Sequence, residues 1–354
     1  MQLRDAAENV LACLGIKKGD RLLIIGEESE TSGKESETTT PSRAIYLPAS
    51  HILGKDAKFV NLPDFRRATP EETLRILKQE IIPFNPTASI FAASCEKGEQ
   101  ELVADIIELL TKTHNARHAH MPGITLPDFG KAFRTGPAMP DGSAQTMTAF
   151  DLAFSGPELT PMRSGPAPPD ASAPLNADFE SVRSAEKIRL ETDLGTRLLL
   201  GTTGWKLSEP ITKQGHWDYL PNNRISAITT DVFGTLAVCL FGEPLVGRHT
   251  LLKPRDAIRF EIENSCIVLD SVRSQDKSLA IGFKKYLVDK LSGGTGIIPV
   301  TGFSISANPY LSEVMESFVC NRTSYYSIAF GAMEVLLKAS MSIEKPGLEQ
   351  PDNQ

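Results

Sequence analysis

The chain has 354 residues, 41% of them hydrophobic and 23% charged, with a formal net charge of −7. That length favours two domains, and the composition is that of a globular protein with a core large enough to need no staples. The acidic balance and the lack of any basic run exclude a general nucleic-acid binder. No stretch approaches the roughly eighteen consecutive apolar residues of a membrane helix.

The opening MQLRDAAENVLACLG is charged early and its apolar run is short, so no signal peptide and a cytoplasmic location are expected. Leu3, Ala6, Ala7, Val10, Leu11 and Leu14 fall on one helical face over residues 4–15, and Gly15 ends the helix. A Lys17-Lys18-Gly19-Asp20 turn leads into a short apolar strand at 21–26. Helix, turn, strand and glycine in that order open a doubly wound α/β sheet. Residues 27–42 are polar and read as a surface loop. Strands are predicted at 57–62 and 88–93. Thr69-Pro70-Glu71-Glu72 starts a helix with a capping hydroxyl and a first-turn proline, and residues 98–113 form an amphipathic helix.

Residues 132–176 are rich in Pro, Gly, Ser and Ala and read as an inter-domain connection with a helix at about 145–154. The domain expectation is therefore 1–180, an N-terminal α/β unit, and 181–342, a β-rich α+β unit, followed by a disordered tail at 343–354. In the second half the spacing predicts a hairpin, 187–192 and 197–201, then strands at 225–229, 235–241, 257–263 and 266–271, and a helix at 277–291. Residues 308–318 and 328–337 mix helical and strand-like spacing.

The five cysteines, Cys13, Cys95, Cys239, Cys266 and Cys320, form no C-x-x-C pair and sit mostly in apolar context, so free thiols are expected. His114 and His118 are four apart, a spacing that would share a helix face, with His120 close behind. No glutamate follows His114, so the zinc-peptidase helix motif is absent, and a solvated helix end is the expectation. Ser292-Gly293-Gly294-Thr295-Gly296 lacks the lysine of a phosphate loop and reads as a turn. Gly26 begins no dinucleotide fingerprint, and no G-x-S-x-G occurs.

Several motifs occur in a fixed order in the second half. A strand, a Gly195-Thr196 turn and a second strand open it. Gly215-His216-Trp217-Asp218-Tyr219-Leu220-Pro221-Asn222-Asn223-Arg224-Ile225 follows, then Gly234-Thr235-Leu236, then Gly302-Phe303-Ser304-Ile305-Ser306-Ala307-Asn308-Pro309, then Ser327-Ile328-Ala329-Phe330-Gly331. In this order they resemble the aminopeptidase T/aminopeptidase S type of metallopeptidase, whose relatives include a ring-cleaving dihydroxypyridine dioxygenase. The resemblance implies an aminopeptidase-like C-terminal domain, a cleft for peptides or small aromatics, and a homodimer. Gly234, Asn308, Pro309 and Gly331 are then expected to shape turns.

The same resemblance places metal ligands where this chain has none. The first motif's glutamate falls on Arg224, the second's on Gly302 and the third's histidine on Ser327; a closing His-x-Asp pair has no counterpart. A hydrolytic metal needs about three or four carboxylate or imidazole ligands, and an arginine there would repel a cation and attract an anion. The expectation is a degenerate member without catalytic residues, metal or cofactor. Arg224, Trp217, Ser304, Tyr325, Tyr326 and Ser327 are its candidate ligand-binding residues, and Arg224 would pair a carboxylate. Such a protein would hold a peptide for a partner enzyme, as crocagin-type accessory proteins of ribosomal peptide natural-product pathways would. Two alternatives stay open: an enzyme with a metal relocated to His114, His118 and His120, and a structural subunit without a ligand. For Arg224 the plain alternative is a surface salt bridge, and for Trp217 and Tyr326 core packing.

Overall fold

The computed structural model describes residues 2–28, 40–133, 185–207, 211–220, 224–306 and 326–344. The expected connection helix at 145–154, residues 345–354, Tyr325, Asn308 and Pro309 lie outside them, while residues 343 and 344, expected in a disordered tail, belong to a strand paired with 187–191. The architecture is mixed α/β, with one parallel sheet between helices and one large antiparallel sheet.

The first half builds α1 (Gln2–Cys13), β1 (Leu22–Gly26), α2 (Pro41–Leu53), β2 (Ala57–Asn61), the short α3 (Leu62–Phe65), α4 (Pro70–Phe84), β3 (Ala88–Ala92), α5 (Gln100–Glu108), β4 (Arg117–His120) and α6 (Leu126–Ala132). Thr69 caps α4 through its hydroxyl, as its sequence predicts. Thr40 does the same for α2, a helix that the polar composition before it concealed. The strands β1 and β3 are buried at every residue, because helices cover both faces and leave no solvent side for alternation. Leu22, Ile24, Ile90 and Ala119 pack with Val10, Ile45 and Phe129 of α1, α2 and α6 and with Leu14 just beyond α1. Leu23, Ile25 and Phe91 pack with Leu77, Ile81, Leu102 and Ile106 of α4 and α5. This is the doubly wound arrangement expected.

The second half adds β5 (Lys187–Glu191) and β6 (Arg197–Leu207), an antiparallel pair. The chain then returns to the first sheet. There β7 (Trp217–Tyr219) pairs parallel with β4, giving the order β2-β1-β3-β4-β7. It goes on through β8 (Arg224–Val238), β9 (Leu240–Glu243), β10 (Arg248–Leu251), β11 (Ile258–Glu263), β12 (Cys266–Arg273), α7 (Lys277–Tyr286), β13 (Gly302–Ser306), β14 (Tyr326–Phe330), β15 (Met333–Leu337) and β16 (Ser340–Glu344). The antiparallel sheet runs β10-β9-β15-β14-β13-β8-β6-β5-β16, with β11 and β12 attached to β8.

Two readings of the sequence change here. The strands expected at 225–229 and 235–241 are mainly one long strand. β8 has β6 on one side from Ile225 to Thr235, while its other partner changes from β13, at Arg224 to Ala227, to β11, at Gly234 to Val238. Gly234, expected in a turn, lies within β8, where a Cβ would stand 2.1 Å from the Arg197 carbonyl oxygen. Gly331 does turn the chain, between β14 and β15, at φ 61°. The core of this half gathers Phe260, Phe283, Phe303 and Phe330 with Leu287 from the turn that follows α7.

Candidate functional site

The strands β8, β13 and β14 lie side by side, and their register sets Ser226 opposite Ser304 and Ser304 opposite Ser327. Residues directly across a sheet share a face, so the three hydroxyls form a row. The Ser226 and Ser304 hydroxyl oxygens are 3.1 Å apart, and the Ser327 hydroxyl donates to Glu334 Oε2 of β15 at 2.9 Å. Ser304 and Ser327 are buried. Arg224 pairs by its backbone with Ser306, and Gly302 with Ala329. The three positions at which the sequence lacks ligands, 224, 302 and 327, therefore fall on three adjacent strands.

Alternation puts Phe303 and Tyr326 on the other face. Their rings stack at 6.1 Å and 12°, with Trp205 edge-on to Phe303 at 6.1 Å. Tyr326 is buried, and its hydroxyl has no hydrogen-bond partner among the described residues. Burial holds its phenol well above the usual tyrosine range. Arg224, Ser304, Tyr326 and Ser327 thus share one sheet, although Tyr326 points into its core.

Trp217 belongs elsewhere. It sits on β7 in the parallel sheet, edge-on to His120 at 6.0 Å and to Tyr219 at 5.4 Å. Strand pairing with β4 decides its place, not proximity in sequence to Arg224. Ser226 and Glu334 were missed by sequence reasoning. The only signal for Ser226 is its place two residues beyond Arg224, and Glu334 looks like the solvent position of an ordinary alternating strand.

The histidines also differ from expectation. His118 and His120 lie on β4, fully buried, not at a solvated helix end. The turn ending at His114 separates that residue, whose Nδ1 lies 3.1 Å from Asn85 Oδ1. The Leu245 carbonyl can only accept, so His120 Nε2 donates to it at 2.7 Å. His118 Nε2 lies 3.5 Å from His120 Nδ1, and His118 Nδ1 lies 2.9 Å from the Ser89 hydroxyl oxygen. Burial, with His120 beside it, pushes His118 well below the usual histidine value. The relay ties the turn between β9 and β10 to the parallel sheet. Gly247 of that turn lies so close that a Cβ would stand 2.3 Å from the Pro122 carbonyl oxygen.

Among the described residues no three His, Cys, Asp or Glu side chains converge on a point. Position 302 offers no side chain, and the Ser327 hydroxyl is engaged by Glu334. Beyond the carboxyl ends of β1 and β3, where doubly wound sheets commonly bind ligands, charged side chains bond to one another. Glu27 accepts from both the amide and the hydroxyl of Ser94, and Arg66 is bidentate on Glu99 at 2.9 and 3.2 Å.

No protein-family model matches this chain, and no curated protein matches it. Among solved structures, 2,5-dihydroxypyridine dioxygenase from Pseudomonas putida KT2440 superimposes with a TM-score of 0.53 at 10% identity, over 96% of this chain and 93% of that one. The chain shares that protein's fold. AmpT from Thermus thermophilus is 14% identical, with a TM-score of 0.48 over 93% of this chain and 85% of that one. At such identities the likeness concerns the fold alone. No helix among the described residues is long and apolar enough to cross a membrane.

Proposed function

We propose that this chain is a non-catalytic peptide-binding protein, a degenerate relative of aminopeptidase T-type peptidases that holds a peptide for a partner enzyme. The observation that carries the reading is the set of residues on β8, β13 and β14. Arginine, glycine and serine stand where the resembling peptidases have carboxylate and imidazole ligands, and a row of hydroxyls beside them offers hydrogen bonds without a cation. Arg224 is assigned to the peptide's carboxylate and Ser304 and Ser327 to its polar groups. Biosynthesis of a ribosomal peptide natural product is the context this role suits, with a homodimer as the working assembly.

Calorimetric titration with a peptide panel, together with elemental analysis of the purified protein, tests the reading. Micromolar binding is expected, with Arg224→Ala weakening it by roughly 1.5–3 kcal/mol, the worth of a hydrogen bond to a charged group. Stoichiometric iron or zinc accompanied by turnover would overturn it. Unchanged affinity in Arg224→Ala would remove Arg224 from the site while leaving the function standing.

A further inference from the structure

The row of hydroxyls on β8, β13 and β14 extends by one strand. β6 is the neighbour of β8 on its other side, and its register sets Lys206 directly opposite Ser226. Lys206, Ser226, Ser304 and Ser327 therefore stand in line on one face, across four adjacent strands. A β-bulge puts the lysine there. Thr203 pairs with Ile228 and Lys206 with Ser226, so three steps along β6 answer two along β8. Gly204 is left-handed, at φ 63°, as the glycine of one bulge class is. In a regular strand Trp205 would fall opposite Ser226, and Lys206 would turn to the core face beside Ile225, which is 1% exposed. Instead Trp205 takes the core face, edge-on to Phe303, with its Nε1 donating to the Ala185 carbonyl at 3.3 Å.

Exposure is graded along the row. Lys206 is exposed, Ser226 is half-buried, and Ser304 and Ser327 are buried, so the row is open at its lysine end. Among the described residues no carboxylate pairs with Lys206. The carboxylate that meets the row, Glu334, accepts from Ser327 at the opposite end. An ammonium beside hydroxyls suits a carboxylate ligand, since a charge-assisted bond is roughly twice as strong as a neutral one. Ile228, two residues on from Ser226 on the same face and 58% exposed, offers apolar contact beside it.

We propose that Lys206 is a specificity residue of the candidate site, pairing the aspartate or glutamate side chain of a bound peptide beside the hydroxyl row. This rests on the peptide-binding reading above and names the kind of peptide the same site takes. Arg224, two residues before Ser226 on β8, keeps the peptide's terminal carboxylate. The two cations thus divide two carboxylates between them. An exposed lysine on a regular strand would be a solvated charge. The bulge that turns this one onto the face of the serines gives it a site.

The probes are acetylated Ala-Leu pentapeptides with a free carboxyl terminus, carrying glutamate or glutamine at one position at a time, titrated calorimetrically into the full chain. One position should favour glutamate by about tenfold, the worth of a single bond to a charged group, and the preference should shrink as salt rises. Lys206→Met should abolish the preference, and Lys206→Arg should keep it. Lys206 is exposed, so Lys206→Met should melt with the parent chain. Arg224→Ala, or amidation of the peptide's terminus, should weaken the glutamate and glutamine peptides alike and leave their ratio unchanged. Binding without a glutamate preference at any position, or a preference that survives Lys206→Met, overturns this proposal and leaves the peptide reading standing. Absence of binding by every peptide overturns both.

Discussion

Tyr326→Phe tests the inner face of the candidate site. In the folded chain the Tyr326 hydroxyl is buried without a hydrogen-bond partner among the described residues while its ring stacks on Phe303. An unsatisfied buried polar group costs about 1–3 kcal/mol, and phenylalanine keeps the ring and its contacts. The substitution should therefore stabilise the free protein by about 1 kcal/mol. In a unit of this size that raises the melting temperature by about 2–4 °C. Urea and thermal melts at pH 7 measure it directly. Peptide titration on the same variant adds a second reading: if the phenol serves the ligand, affinity falls while stability rises. A loss of more than about 1 kcal/mol of stability would refute the reasoning, because it would mean the hydroxyl has a partner in the fold.

The buried pair of Asp20 and Arg117, 2.7 Å apart with side chains only 8% and 5% exposed, makes Asp20→Asn costly, by about 3–5 kcal/mol, since it strands a buried guanidinium. Burial pushes the Asp20 carboxyl up, but bonds from Arg117, the Lys17 amide and Thr87 bring it below its ordinary value. Its contribution is thus complete above about pH 4 and is lost as pH falls through the folded value; urea midpoints across that range check it. His118 behaves oppositely, being a base kept neutral by burial. Below about pH 6.5 the unfolded chain takes up a proton that the fold refuses, so stability should decline there and stay flat above. His118→Gln should flatten that decline in urea melts between pH 8 and 5. Gly247→Ala would place a methyl against the Pro122 carbonyl at a φ of 68°. It should cost more than the roughly 1 kcal/mol of a left-handed alanine, measured by chemical denaturation, with faster hydrogen exchange in the 244–247 turn.

Much of the fold was legible in the chain because its signals are local. An apolar run bounded by a turn and a glycine gave β1, Thr69-Pro70 gave α4, and strict alternation gave β5. At the candidate site, the resemblance in the order of the motifs singled out positions 224, 302 and 327.

What only the tertiary structure decided depends on pairing between distant segments. Trp217, close to Arg224 in sequence, is drawn to β4 because parallel pairing with His118–His120 satisfies its backbone. The buried histidines on β4 read as a helix end because two residues at a spacing of four imply nothing about the strand that encloses them. Ser226, Ser304 and Ser327, separated by 78 and then 23 positions, become one row only through the register of β8, β13 and β14. Local sequence fixes which residues favour a strand; the hydrogen bonds between strands fix what each residue meets.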